Sequence, residues 1–203
     1  MRYFIQNLLS YTFSLPTVPA TENTICYRVT SEGTIDVQLA YRGVKGLPEL
    51  PLFGVDFKLK EKQNRFQYYG YGPNENYIDR NKGARLGIFE STPIKNVSQY
   101  LVPQECGNRT GVRWIKVVDE INQGLCFSST DSPFECSVLP YSSNELEHAV
   151  HREELPPIHY TWVRIMAKQM GVGGDDSWGA PVQNQYLIDS AKDLCITFSI
   201  SKA

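Results

Sequence analysis

Residues 24–41 read Thr24-Ile-Cys-Tyr-Arg-Val-Thr-Ser-Glu-Gly-Thr-Ile-Asp-Val-Gln-Leu-Ala-Tyr41 and carry the clearest local signal in the chain. Ile25, Tyr27 and Val29 alternate with polar residues. Ser31-Glu32-Gly33 supplies a turn, and Ile35, Val37, Leu39 and Tyr41 then alternate again. Successive side chains of a strand point to opposite faces, so this period of two puts the apolar set on one face. Two such runs joined by a Gly-containing turn predict a β-hairpin.

The same pattern recurs on both sides. Phe53, Val55, Phe57 and Leu59 alternate with Asp56, Lys58 and Lys60. Further strands are expected at 8–15, 65–69, 86–89, 112–118, 125–128, 134–139, 158–170, 186–188 and 194–200, with turns between them. Residues 42–51 hold two Gly and two Pro and read as a loop. One helix is expected, from Ser143 to Val150, with Ser142 or Ser143 as its N-cap. Many short strands against one helix predict an all-β fold, an antiparallel β-sandwich, and a single domain over 1–203.

Composition agrees. The chain has 203 residues, 41% hydrophobic and 21% charged, with 12 Tyr, 9 Phe and 3 Trp, an aromatic content that suits strands. A net charge of -2 provides no electrostatic footprint for nucleic acid or anionic membrane. The first twenty residues faintly imitate a signal peptide, but Gln6, Asn7, Ser10, Thr12 and Ser14 interrupt the apolar run. Nothing approaches the ~18 apolar residues of a membrane-spanning helix. Cys26, Cys106, Cys126, Cys136 and Cys195 are odd in number and form no CxxC pair, so free buried thiols in a reducing cytoplasm are expected. In that compartment the sequons at Asn96 and Asn108 carry no glycan.

The richest candidate element is Gln169-Met-Gly-Val-Gly-Gly-Asp-Asp-Ser-Trp-Gly179. Its glycines, Gly173 and Gly174 among them, suit neither a strand core nor a helix and permit positive φ and close backbone approach. Asp175, Asp176 and Ser177 can bond neighbouring amides and stiffen the loop. Trp178 then either closes the sandwich core or is presented outward as a binding surface. Two polar loops stand beside it. In residues 69–80, Glu75, Asp79 and Arg80 are expected to order the loop, the acids bonding backbone amides or Arg80. In residues 104–114, Cys106 is expected to be structural, although Arg109 could supply the charge that activates a thiol. His148, His151 and His159 cluster in sequence, but a metal site would need a third ligand placed beside the first pair, so no metal is assigned.

Three stretches together resemble one family: Tyr-Gly-Pro-Asn-Glu-Asn-Tyr-Ile-Asp-Arg (71–80), Pro-Gln-Glu-Cys-Gly-Asn-Arg-Thr-Gly-Val-Arg-Trp (103–114) and Met-Gly-Val-Gly-Gly-Asp-Asp-Ser-Trp-Gly (170–179). In this order they are similar to the C-terminal small-chain domain of family 2 β-galactosidases. In some bacteria that domain lies on a separate small subunit. The resemblance spans about 8–200 and implies a large antiparallel sandwich of the galactose-mutarotase-like kind. It also implies that both catalytic glutamates sit on a (β/α)8 barrel elsewhere; such a barrel takes about 250 residues and has no place here. No catalytic residue and no cofactor is therefore assigned to this chain, and magnesium and sodium ions belong to the partner barrel. The partners implied are a large catalytic subunit and a galactoside such as lactose, with no nucleic acid and no membrane. One residue carries over: Trp178 matches the tryptophan that forms an apolar wall of the galactoside site, with Gly173, Gly174, Asp175, Asp176 and Ser177 positioning it. The family domain usually has a further N-terminal portion, so a truncated small chain is expected.

Other classes make different demands. A stand-alone carbohydrate-binding module needs several exposed aromatics on one face. A mutarotase-like enzyme needs a histidine and a carboxylate facing one sugar, with His148, His151 or His159 and Glu153 or Glu154 as the clustered candidates. An inactive fragment of a longer enzyme needs neither.

Overall fold

The computed structural model describes residues 7–60, 63–176 and 178–203. They form two antiparallel sheets. The larger sheet is built from β1 (Asn7–Leu15), β2 (Thr21–Val29), β3 (Ile35–Tyr41), β5 (Arg65–Gly72), β6 (Arg85–Ser91), β8 (Trp114–Val118), β9 (Gly124–Ser129) and β12 (Leu194–Lys202). Its spatial order is β1-β2-β3-β12-β9-β8-β5-β6. The smaller sheet takes β4 (Leu52–Lys60), β7 (Arg109–Val112), β10 (Phe134–Leu139) and β11 (Tyr160–Gln169), in the order β4-β11-β10-β7. The expected all-β, antiparallel, two-sheet class is therefore the observed one.

The predicted hairpin is β2–β3, with Ile25 opposite Leu39, Tyr27 opposite Val37 and Val29 opposite Ile35. Gly33 takes φ +80° in its turn, where the Gly33 amide bonds the Thr30 carbonyl at 3.1 Å. Strand β12 returns from the C-terminal end to lie against β3, with Ile196 opposite Leu39 and Phe198 opposite Val37. The inward residues of both sheets interlock. Phe57 of β4 meets Phe127 of β9 at 5.0 Å between ring centroids and Phe198 of β12 at 6.0 Å. Such pairs add roughly 0.5–1.5 kcal/mol each beyond the area they bury.

Two strand expectations need correction. Residues 112–118 are not one strand. The chain changes sheet at Arg113, so β7 pairs with β10 while β8 pairs with β5 and β9. Gly111, at φ +62°, makes the bend possible, and a Cβ there would lie 2.6 Å from the Tyr71 ring. The strand expected at 186–188 is a 3-10 turn over Asn184–Tyr186. Ile188 is buried there without a strand partner, its carbonyl accepting the Leu50 amide at 2.9 Å. The helix α1 spans Ser143–His148, shorter than expected, and Ser142 is its N-cap in a reciprocal capping box with Glu145. Among the described residues no helix is long and apolar enough to cross a membrane.

All five cysteines are free, but only Cys106 and Cys136 are buried, Cys195 being exposed, so the expected burial holds for two. Neither sequon presents its amide. Asn96 is 5% and Asn108 1% exposed, and both side chains are engaged inside the protein.

Candidate functional site

Loops from both sheets converge at one end of the sandwich. The loop after β5 leaves the larger sheet, and the Gly-rich loop after β11 leaves the smaller one. The segment entering β7 lies against the first of these.

Asn76 anchors the β5 loop. Its Oδ1 accepts the Thr110 amide at 3.0 Å and the Thr110 hydroxyl at 2.5 Å, while its Nδ2 donates to the Tyr71 carbonyl at 2.9 Å. Asn108 returns the contact, donating from Nδ2 to the Asn76 carbonyl at 3.1 Å and to Glu135 Oε2 at 2.8 Å. Glu75 gathers a second set of donors: Ser98 Oγ at 2.6 Å, the Gly107 amide at 2.7 Å, Arg80 at 2.9 Å and the Tyr100 hydroxyl. Burial alone would raise the Glu75 carboxyl. The bonds from Ser98, Tyr100 and Gly107 and the charge of Arg80 outweigh it and hold the group below the usual carboxylate range. Glu75 and Arg80 thus order their loop, as expected of them.

The second polar loop is structural too. Arg109 spends its guanidinium on the Tyr68 hydroxyl at 2.8 Å, Asn96 Oδ1 at 2.9 Å and the Gly107 and Asn108 carbonyls. Burial pushes the Cys106 thiol up to about 11, which leaves it protonated and unreactive near neutrality.

The Gly-rich loop rests on the β5 loop. Asp79 Oδ2 accepts the amides of Val172 and Gly173, each at 2.8 Å. The Gly171 amide bonds the Tyr186 carbonyl at 2.9 Å and the Met170 amide the Pro51 carbonyl at 3.0 Å. Gly174 lies so close to Ala180 that a Cβ would sit 2.1 Å from its carbonyl oxygen, and Gly179 takes φ +100°. Gly173 has ordinary space around it and a φ open to other residues. At the tip, Asp176 Oδ1 accepts the Trp178 amide at 2.8 Å and the Ala180 amide at 3.2 Å, and Asp175 Oδ1 accepts Gln183 Nε2 at 2.8 Å. Ser177 lies outside the described residues. Trp178 is 93% exposed, so it does not close the core. An ordered backbone therefore holds an indole out in solvent.

The histidines form no comparable arrangement. His148 Nδ1 contacts the Asn144 carbonyl at 2.8 Å within its own helix, and His151 pairs locally with Glu154 at 3.3 Å on an exposed turn. His159 packs against Tyr160 instead. Among the described residues no three His, Cys, Asp or Glu side chains come together as a metal cage.

Sequence reasoning missed Asn76, Asn108 and Glu135, the buried polar residues that tie the loops together. Glu135 could have been noticed. It is a carboxylate inside β10, Phe-Glu-Cys-Ser-Val-Leu, all six residues of which are buried. It receives the Asn108 amide and a bond from the Gln169 backbone at the root of the Gly-rich loop. Of the three stretches that carried the resemblance, 71–80 thus contacts both of the others.

Comparison with known proteins covers nearly the whole chain. The family model described as beta galactosidase small chain matches residues 5–200. A beta-galactosidase of Halalkalibacterium halodurans is 44% identical over 198 residues, which cover 96% of this chain and 19% of that protein. One from Streptococcus thermophilus is 40% identical, covering 95% of this chain and 19% of its own length. A beta-galactosidase small subunit of Latilactobacillus sakei is 37% identical, covering 95% of this chain and 63% of that subunit. The chain thus spans less than a fifth of the length of the first two relatives. Among solved structures, a galactose mutarotase related enzyme of Lactobacillus acidophilus aligns with a TM-score of 0.46 at 8% identity, over 98% of this chain and 71% of that one.

Proposed function

Because this chain belongs to the beta galactosidase small-chain family, we propose that it serves as the small-chain component of a β-galactosidase, completing the galactoside site of a larger catalytic subunit. The observation that carries this reading is the 93% exposed indole of Trp178 on a hydrogen-bonded loop. An indole face packs against the C–H face of a sugar ring and leaves the hydroxyls free for polar contacts. Asp175, Asp176 and the glycines Gly174 and Gly179 give the loop one shape, so the ring is pre-organised before substrate arrives.

Retaining hydrolysis needs two carboxylates about 5–5.5 Å apart across the scissile bond. In the proposed assembly both belong to the barrel of the large subunit, as do its magnesium and sodium ions. This chain supplies the wall and the contacts that hold it there. The test is hydrolysis of a chromogenic β-galactoside by this chain, by a matching large subunit and by their mixture. Activity in the mixture well above the large subunit alone supports the reading. No gain with the folded chain present contradicts it, and binding of galactosides by this chain alone favours a carbohydrate-binding module.

A further inference from the structure

We infer that Asp79 is the positioning residue that sets where Trp178 stands relative to the two sheets. The inference rests on the reading of Trp178 as a substrate wall.

The loop is held at two levels. Among the described residues, the bonds of Asp175 and Asp176 join residues within 175–183, so they shape the tip without placing it. Asp79 does the placing, from 93 residues earlier in the chain. Its single oxygen Oδ2 takes two successive amides, Val172 and Gly173, both at 2.8 Å. Consecutive N–H groups turned to one side form a concave anion seat, and here the anion is the protein's own carboxylate. The fit is close. A Cβ on Gly171 would lie 2.7 Å from Asp79 Oδ2 and 2.9 Å from the Tyr186 Cβ, so the loop root is pressed directly on the carboxylate.

The mount beneath Asp79 is itself fixed. Three residues upstream, Asn76 is bonded to Thr110 and Asn108 and is 2% exposed. One residue further, Glu75 collects its donors from Ser98, Tyr100, Gly107 and Arg80. Asp79 thus transmits the position of the packed end of the sandwich to the loop that carries the indole. The other oxygen, Oδ1, is buried with no donor among the described residues, so the two amides are what this carboxylate holds.

The experiment has two arms. Hydrogen exchange of Val172 and Gly173 is followed in the full chain, for wild type, Asp79→Ala and Asp79→Asn. Steady-state kinetics are then measured in the reconstituted complex for Asp79→Ala, Trp178→Ala and the double variant. Asp79→Ala should speed exchange at both amides by about tenfold, and Asp79→Asn, which keeps an acceptor oxygen, should restore protection. In the complex Asp79→Ala should lower kcat/KM by about tenfold, the order expected for losing the aromatic contact itself. In the Trp178→Ala background it should add nothing, because Asp79 acts through the indole. A merely structural role would lower activity by the same factor in both backgrounds, and that result overturns the inference. Unchanged exchange in a folded Asp79→Ala chain overturns it as well. Failure of the underlying reading looks different: Trp178→Ala alone would leave the kinetics unchanged, and the exchange arm would then decide whether Asp79 seats the loop.

Discussion

Asp176 and Trp178 are joined by a short side-chain to backbone bond, Oδ1 accepting the Trp178 amide at 2.8 Å, and the same oxygen reaches the Ala180 amide at 3.2 Å. One carboxylate oxygen thus closes the turn around the indole. The tip keeps its shape although the ring is 93% exposed.

Removing that oxygen should loosen the tip alone. Asp176→Ala should lower the free energy of local opening by about 1 kcal/mol, seen as faster hydrogen exchange at Trp178 and Ala180. Thermal unfolding should hardly move, because these bonds are exposed. A large drop in unfolding temperature would show that the loop supports the sandwich rather than resting on it.

Glu135 predicts an unusual pH dependence. Burial pushes its carboxyl up to about 7, against the bonds from Asn108 and Gln169 that pull it down. Its folded value therefore lies above the unfolded one of 4.5, and the fold favours the protonated form. The stabilisation is complete below about pH 4.5, declines as pH rises towards 7 and is gone above it, a change of about 3 kcal/mol. Glu135→Gln stays neutral and keeps an oxygen for Asn108. Its unfolding temperature should match wild type near pH 4.5 and exceed it at pH 8. A gap that does not change with pH would refute this.

Gly111 lies in β7, two residues before the chain changes sheet at Arg113. Gly111→Ala would place a Cβ 2.6 Å from the Tyr71 ring at φ +62°. The substitution should cost about 2 kcal/mol in chemical denaturation. An unchanged denaturation midpoint would mean that the bend relaxes freely.

The alternation at Ile25–Tyr41 and Phe53–Leu59 made those strands legible because one face of each is buried against the other sheet. Sheet membership was not legible. The pairing of β3 with β12 joins residues over 150 positions apart, and no local pattern records it. The break at Arg113 was hidden because Val112, Ile115 and Val117 are all fully buried, so an apolar run continued across a change of sheet. Ile188 looked strand-like for the same reason, being buried without pairing. At the site, the side-chain chemistry of Asp79 and Asp176 pointed to bonded amides. That Asp79 reaches Val172 and Gly173 depended on two sheets bringing their loops to one end.

The most direct test of the account is the kinetics of Trp178→Ala in a complex shown to be folded and assembled. Losing a central aromatic contact of about 1.4 kcal/mol or more should reduce kcat/KM for a β-galactoside at least about tenfold, with Trp178→Phe in between. Wild-type kcat/KM for the alanine variant in the intact complex would contradict the claim that this loop lines the galactoside site.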